Sequence, residues 1–195
     1  MTIFYSADHH FGHNGIIGMC KRPFESAEEM DEEMIRRHND RVERNDDAYF
    51  IGDFCGSHDP KYINHIFNKL KGRKHLIIGN HDNKHVMRLG WSSHVAHRRE
   101  LKEDGQTFVL VHYPERSWDK MYKGSFHLYG HTHGKLPGVG RSIDVGVDAW
   151  DFQPVLASEA IERMQKWNHD FDTYAPELPE IYNGPDDDHE AVMRM

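Results

Sequence analysis

Five short polar motifs, each set at the end of an apolar run, constrain this chain more than any other feature: Asp8-His9-His10, Gly52-Asp53, Gly79-Asn80-His81-Asp82, His112 and Gly130-His131-Thr132-His133. Short apolar runs that stop at a glycine or a polar loop are the mark of strands. A fold that gathers those strand ends presents carboxylate, amide and imidazole donors at one point, which is about the set a pair of metal ions needs. The order, spacing and shared setting of the motifs carry this reading, because an isolated Gly-Asp is an ordinary turn.

The rest of the chain alternates strand and helix. Ile3 to Ala7 is a short apolar strand leading into a polar, glycine-containing loop. Ser26-Ala27-Glu28-Glu29 has the form of a capping box, a serine hydroxyl for one unpaired helix N–H and a glutamate three residues on to reach back. Met30, Met34, Ile35, His38 and Val42 then place a stripe on a helix spanning Glu28 to Val42. Ala48 to Ile51 predicts a strand ending at Gly52-Asp53. Asp59-Pro60 opens a second helix, apolar through Ile63, Ile66, Phe67 and Leu70 and stopped by Gly72. His75 to Ile78 predicts a buried strand feeding Gly79.

From Val95 the pattern turns to strands. Val95 to Lys102 and Thr107 to Val111, about a turn at Asp104-Gly105, predict a hairpin. Phe126 to Tyr129 and Ser142 to Val147 predict further strands, and Ser158 caps a last helix with Ile161 and Met164 inward. A βαβαβ first half and a mainly β second half predict an α/β fold of two sheets packed face to face, with helices on the outer faces. The domain is expected over residues 1–167. Residues 168–195, acidic and holding Pro176, Pro179, Pro185 and Asp186-Asp187-Asp188, are expected to form a tail or a clasp over it.

Composition narrows the class. A chain of 195 residues with 37% hydrophobic and 29% charged residues is expected to be a soluble globular protein. No apolar run approaches the roughly 20 residues of a membrane helix. The first residues lack a basic region and a cleavage site, so no signal peptide is expected. Two cysteines, Cys20 and Cys55, offer no disulfide framework, and a cytoplasmic location is expected. The formal charge of −8 gives no general attraction to nucleic acid and suits divalent cations. Of the 17 histidines, those at strand ends are the candidates for chemistry, whereas His38, His65, His94, His97, His169 and His189 are expected to serve surface solubility or to be present by chance.

Within the motifs, side-chain alternation lets Asp8 and His10 reach one ion together and turns His9 the other way, into a packing role. Asp53 is the candidate bridge, because a carboxylate can hold two cations with its two oxygens and an imidazole cannot. Asn80 offers a neutral carbonyl oxygen, and His112 closes a strand rich in β-branched residues. His131 and His133 divide between the ions, one imidazole each. Nitrogen and oxygen donors without a thiolate favour Mn²⁺, Fe, Zn²⁺ or Ni²⁺. Cys55 is expected as a small buried residue.

Arranged as Asp-x-His, Gly-Asp, Gly-Asn-His-Asp, His and Gly-His-x-His, these motifs resemble the calcineurin-like metallophosphoesterase superfamily over about residues 3–150. Asp8-His9-His10-Phe11-Gly12-His13 and Gly146-Val147-Asp148-Ala149-Trp150 also resemble a small, single-domain bacterial and phage-type branch of it. The resemblance implies a four-layer αββα sandwich of two mixed sheets flanked by helices. It implies a first metal held by Asp8, His10, Asp53 and His133, and a second held by Asp53, Asn80, His112 and His131. It implies that His81 faces the substrate phosphate with Asp82 orienting it.

The function this implies is hydrolysis of a small phosphorylated substrate, a phosphodiester and among these a nucleotide, by a hydroxide shared between two divalent ions, Mn²⁺ first among them. The alternatives are a phosphomonoesterase, or a metal-binding scaffold of the same fold without catalysis. A duplex nuclease is disfavoured by the acidic charge and the lack of a basic stripe. Loops must select the substrate. His13 and Asn14 either touch the phosphate or its leaving group, or only pack their loop. Arg22 is a candidate phosphate fork. Tyr113, Arg116, Trp118 and Lys123 either offer an aromatic face and cations to a nucleobase and phosphate, or form a small core of their own loop.

Overall fold

In the computed structural model, which describes residues 1–168 and 170–171, the first three strands lie side by side and parallel. They are β1 (Ile3–Ser6), β2 (Asp47–Ile51) and β3 (Arg73–Ile77), in a sheet ordered β3-β2-β1-β8 whose last member, β8 (Val155–Leu156), runs antiparallel to β1. The second sheet is ordered β4-β5-β6-β7. Its β4 (Arg98–Glu103) and β5 (Gln106–Val111) form the expected antiparallel hairpin, and β6 (Phe126–Tyr129) and β7 (Ser142–Asp144) follow in parallel.

Alternation along the strands builds the layers. Phe4, Phe50 and Leu76 face α2 (Ala27–Arg41) and α3 (Pro60–Lys69), where they meet Met30, Met34, Ile63 and Phe67. Their neighbours Tyr5, Ile51 and Ile77 face the other way and meet Phe108, Leu110, Leu128 and Ile143 of the second sheet. Helix α5 (Ala157–Trp167) adds Ala157, Ala160 and Met164 to this inter-sheet core. On the far side of the second sheet, Val109 is covered by Trp118 and Met121 from the segment joining β5 to β6. The architecture is the α/β sandwich of two mixed sheets flanked by helices. Phe50 is fully buried between strand and helices, and truncating such a side chain to alanine costs about 3–5 kcal/mol.

Local chemistry explains the element ends. The Ser26 hydroxyl accepts from Glu29 N–H at 3.2 Å, while the Glu29 carboxylate reaches past the cap to Glu25 N–H at 2.7 Å. Asp59 caps α3 by accepting from Lys61 N–H at 2.9 Å, with Pro60 as its first residue. Helix α5 starts two residues earlier than expected and is not capped by Ser158. Instead the Glu159 carboxylate accepts from Leu156 N–H at 2.7 Å, because β8 runs straight into the helix.

The segment after the first motif is not all loop: Asn14–Cys20 forms a short helix, α1. Its two glycines hide it from a propensity reading. It ends at Lys21, whose φ of 54° lets Arg22 N–H reach back to Ile17 O at 2.9 Å. One further helical turn, α4 (Lys84–Met87), opens at Asn83. At the chain's end, Asn168 Nδ2 donates to Gly140 O at 2.8 Å, and Gly140 N–H donates to Asp170 at 3.1 Å. The proline- and aspartate-rich part of the expected tail lies outside the described residues. Among the described residues no helix is long and apolar enough to cross a membrane.

Candidate metal centre

Parallel strands deliver their carboxyl ends to one edge, so the loops after β1, β2, β3, β5 and β6 meet there. What aims the side chains is an unusual backbone. Asp8, His10, Asp53, His131 and His133 all have left-handed φ, between 50° and 70°. Residues without a glycine's freedom adopt this region at a cost and hold it only where neighbours enforce it. Here Asp8 N–H donates to Gly52 O at 3.1 Å and His10 N–H to Asp53 O at 2.9 Å. Asp8 and His10 therefore share a side because of paired left-handed turns beyond the end of β1, not because of strand alternation. His9 between them is buried, stacked 5.1 Å from the Phe11 ring.

Two glycines permit the convergence. A Cβ on Gly52, at φ 86°, would lie 2.2 Å from His112 Nδ1, and one on Gly79 would lie 2.4 Å from Asp53 Oδ1. No side chain fits at either place.

The expected donors gather in two groups. One ligand atom each from Asp8, His10 and His133 lie within 4.8 Å of one another, as do those of Asp53, His112 and His131. Asp53 Oδ2 stands between the groups, 3.5 Å from His10 Nε2 and 3.4 Å from His112 Nε2. Asn80 Oδ1 completes the second group, 3.0 Å from His112 Nε2 and 3.1 Å from His131 Nδ1.

The chemistry of these atoms fits a cation. Both oxygens of Asp8 and Nε2 of His10 are buried without a hydrogen-bond partner, a costly arrangement unless a cation completes it. Burial, then repulsion from Asp144, pushes the Asp8 carboxyl up to about 7. His112 donates Nδ1–H to Ile51 O at 2.9 Å, which turns the Nε2 lone pair toward Asn80 and Asp53. Burial opposes charge on His112, but the Asp53 carboxylate outweighs it and raises the imidazole to about 8. A divalent ion relieves the same crowding of lone pairs without a proton.

A further set of groups holds the donors in place. His133 Nδ1–H donates to Asp148 at 2.7 Å. Asp144 accepts from Thr132 Oγ1 at 2.6 Å, Gly134 N–H at 2.9 Å and Gly146 N–H at 2.6 Å, fastening the Gly130–Gly134 loop. Asp82 accepts from Gly79 N–H at 2.8 Å, Asp53 N–H at 3.0 Å and Phe54 N–H at 2.9 Å. This corrects its expected role: its oxygens staple two motif turns together through backbone amides instead of orienting the imidazole of His81. The His81 side chain is exposed, its ring 5.3 Å from that of His10, while the residue's backbone N–H donates to Asp53 Oδ1 at 2.8 Å.

The expected substrate-binding residues separate. Arg22 is not a phosphate fork. It is 4% exposed, and all its N–H groups point inward: Nε and Nη2 to Asp148, both at 2.8 Å, Nη2 to Asp8 O at 2.7 Å, and Nη1 to His9 O at 2.9 Å and the Met30 sulfur. His13 stays beside the donors, its ring 5.8 Å from that of His10. The Asn14 side-chain oxygen accepts from Ala27 N–H at 3.2 Å, tying α1 to the start of α2. Arg116 is exposed and lines a cleft of about 200 Å³ with Pro114, Trp118, Leu136 and Val139. Trp118 belongs to its own loop's core, Nε1–H donating to Ser125 O at 3.1 Å, while Tyr113 stands open with its ring 4.4 Å from that of His131.

Sequence reasoning missed Asp144 and Asp148 as members of the site. Asp144 ends a strand, the same signal that picked out Asp53, and Asp148 lay in a string already noted for its resemblance.

No family model matches the chain. An uncharacterized protein of Methanocaldococcus jannaschii, MJ1445, is 30% identical over 172 residues, which cover 84% of this chain and 92% of its own. The gene 66 protein of Mycobacterium phage L5 is 25% identical over 180 residues, 75% of this chain and 86% of its own. Among solved structures, the protein of unknown function AQ665 from Aquifex aeolicus superposes with a TM-score of 0.67 at 20% identity, over 83% of this chain and 98% of that one, a likeness of fold. At 30% identity over most of both chains, this chain belongs to one family with MJ1445.

Proposed function

We propose that this protein is a phosphoesterase that depends on two divalent metal ions, Mn²⁺ first, and hydrolyses a small phosphodiester. The observation that carries the reading is the pair of donor groups sharing Asp53, with Asp8 and His10 buried and unpartnered beside it. In this reading Asp8, His10, Asp53 and His133 hold one ion, and Asp53, Asn80, His112 and His131 the other. Bound there, the ions supply Lewis acidity to phosphoryl oxygens and activate water at neutral pH.

The remaining steps belong to side chains. Two dications against two carboxylates leave the pocket positive, so an anionic ester is drawn to it inside an acidic protein. His81, exposed above the donors and anchored through its N–H to Asp53, gives a proton to the departing alkoxide oxygen. His13 and Tyr113 flank the opening. A monoester dianion calls for additional cationic contacts. The Arg22 guanidinium is consumed by Asp148 and backbone carbonyls and is not free to supply one, which supports a diester.

The test is a metal-supplemented comparison of bis-p-nitrophenyl phosphate with p-nitrophenyl phosphate, followed by cyclic and dinucleotide substrates. Faster turnover of the diester is expected. Activity on none of them in Mn²⁺, Ni²⁺ and Zn²⁺ alike overturns the proposal.

A further inference from the structure

One buried guanidinium links both flanks of the first donor group. The Arg22 side chain is fully buried and bidentate on Asp148, and its Nη2 also donates to the carbonyl oxygen of Asp8. Asp148 Oδ2 in turn accepts from His133 Nδ1–H at 2.7 Å. That bond leaves His133 Nε2 as the free lone pair and fixes the ring's rotation. Asp8 and His133 lie far apart in sequence and on different sheets' loops, yet this chain of contacts ties the backbone of one to the ring of the other. Nothing equivalent reaches Asn80 or His131 among the described residues: Asn80 Oδ1 is bonded only to histidine rings of its own group.

We infer that Asp148, gripped by Arg22, is the positioning residue for His133 and sets the affinity of the Asp8–His10–His133 site without acting on the Asn80–His112–His131 site. The inference rests on the two-metal reading above. Cys20 also lies within 4.8 Å of His133 and Asp148, a grouping that would suit an ion of its own. Both Asp148 oxygens are already taken by Arg22 and His133, so the contact orients the imidazole and does not form another ion site.

The experiment is calorimetric titration of the metal-free full-length protein with Mn²⁺, paired with Co²⁺ absorption spectra that report the ligand geometry of each site. The wild type binds two ions. Asp148→Asn, close in shape, weakens one of them about 10–100-fold and changes one Co²⁺ band set, leaving the other ion unaffected. Arg22→Lys, which cannot bond both oxygens side by side, moves the same site in the same direction. Asn80→Ala weakens the other site. In a His133→Ala background, Asp148→Asn has no further effect on metal affinity, a result that a purely structural role does not produce. Thermal melts of each metal-free variant check the fold.

Unchanged affinities in Asp148→Asn, equal weakening of both sites, additive losses in the double variant, or loss of an ion in Cys20→Ser each overturn the inference. A wild-type protein that binds no metal overturns the two-metal reading instead, so the two failures are distinguishable.

Discussion

At the scale of single residues, the site separates groups that hold from groups that react. Asp53 Oδ2 is shared by both donor groups, so Asp53→Asn is expected to lose the metal pair and nearly all activity, as metal analysis after dialysis will show. His81 bonds to the donors through its backbone N–H, and its ring stands edge-on to that of His10. His81→Ala is expected to retain both ions while turnover falls about 10²–10⁴-fold, the usual contribution of a positioned acid. The loss should be largest for esters with poor leaving groups, and empty metal sites in that variant would contradict the assignment. Asp82 behaves differently from either. Its carboxylate binds three backbone amides, so Asp82→Ala acts by loosening the turns at Asp53 and Gly79. A lower melting temperature in the metal-free protein is the expected readout.

At the scale of elements, the loops work because the strands beneath them approach closely. Gly52 is held at φ 86° with His112 against it, so Gly52→Ala combines a left-handed non-glycine residue with a collision. A loss of roughly 2–5 kcal/mol is expected in chemical denaturation, with weaker metal binding in whatever remains folded. The turn carrying His13 has its own support, since Gly12 N–H and the Tyr62 hydroxyl both donate to the buried Asp31 carboxylate. Tyr62→Phe removes one of these bonds at a cost of about 1 kcal/mol. It is expected to raise KM more than it lowers the number of bound ions.

At the scale of the whole molecule, buried neutral histidines set the acid limit of stability. His38, between α2 and β2, donates Nε2–H to Lys71 O at 3.1 Å and stacks on Phe50, and burial lowers it to about 4. His127 donates Nδ1–H to Val109 O at 3.1 Å and accepts from Glu115 N–H at 3.0 Å, a pattern only the neutral ring can make, and burial lowers it to about 4 as well. Both values lie below that of an unfolded histidine. The unfolded chain therefore takes up more protons as pH falls, and the stability present above about pH 6.5 is lost toward pH 4. The loss is about 3 kcal/mol for each ring at that shift. His38→Gln keeps a donor for Lys71 O and does not titrate. Between pH 6.5 and 4 it is expected to lose about 3 kcal/mol less than the wild type in melts at fixed metal concentration.

The sequence alone determined the alternation of strand and helix in the first half, the amphipathic faces of α2 and α3, the β4–β5 hairpin and the identity of the seven clustered donors. Each of these is written in local chemistry: a period of two or of 3.6, a capping serine, a glycine after an apolar run. Only the tertiary structure decided that Arg22 turns inward, that Asp82 binds amides and that Asp148 lies on His133. Those outcomes depend on residues more than a hundred positions apart in the case of Arg22 and Asp148, and a long polar side chain has no periodicity to announce its partner. The left-handed turns at Asp8, His10, Asp53, His131 and His133 were hidden for the same reason. Local preference disfavours them, and contacts made across the fold are what hold them there.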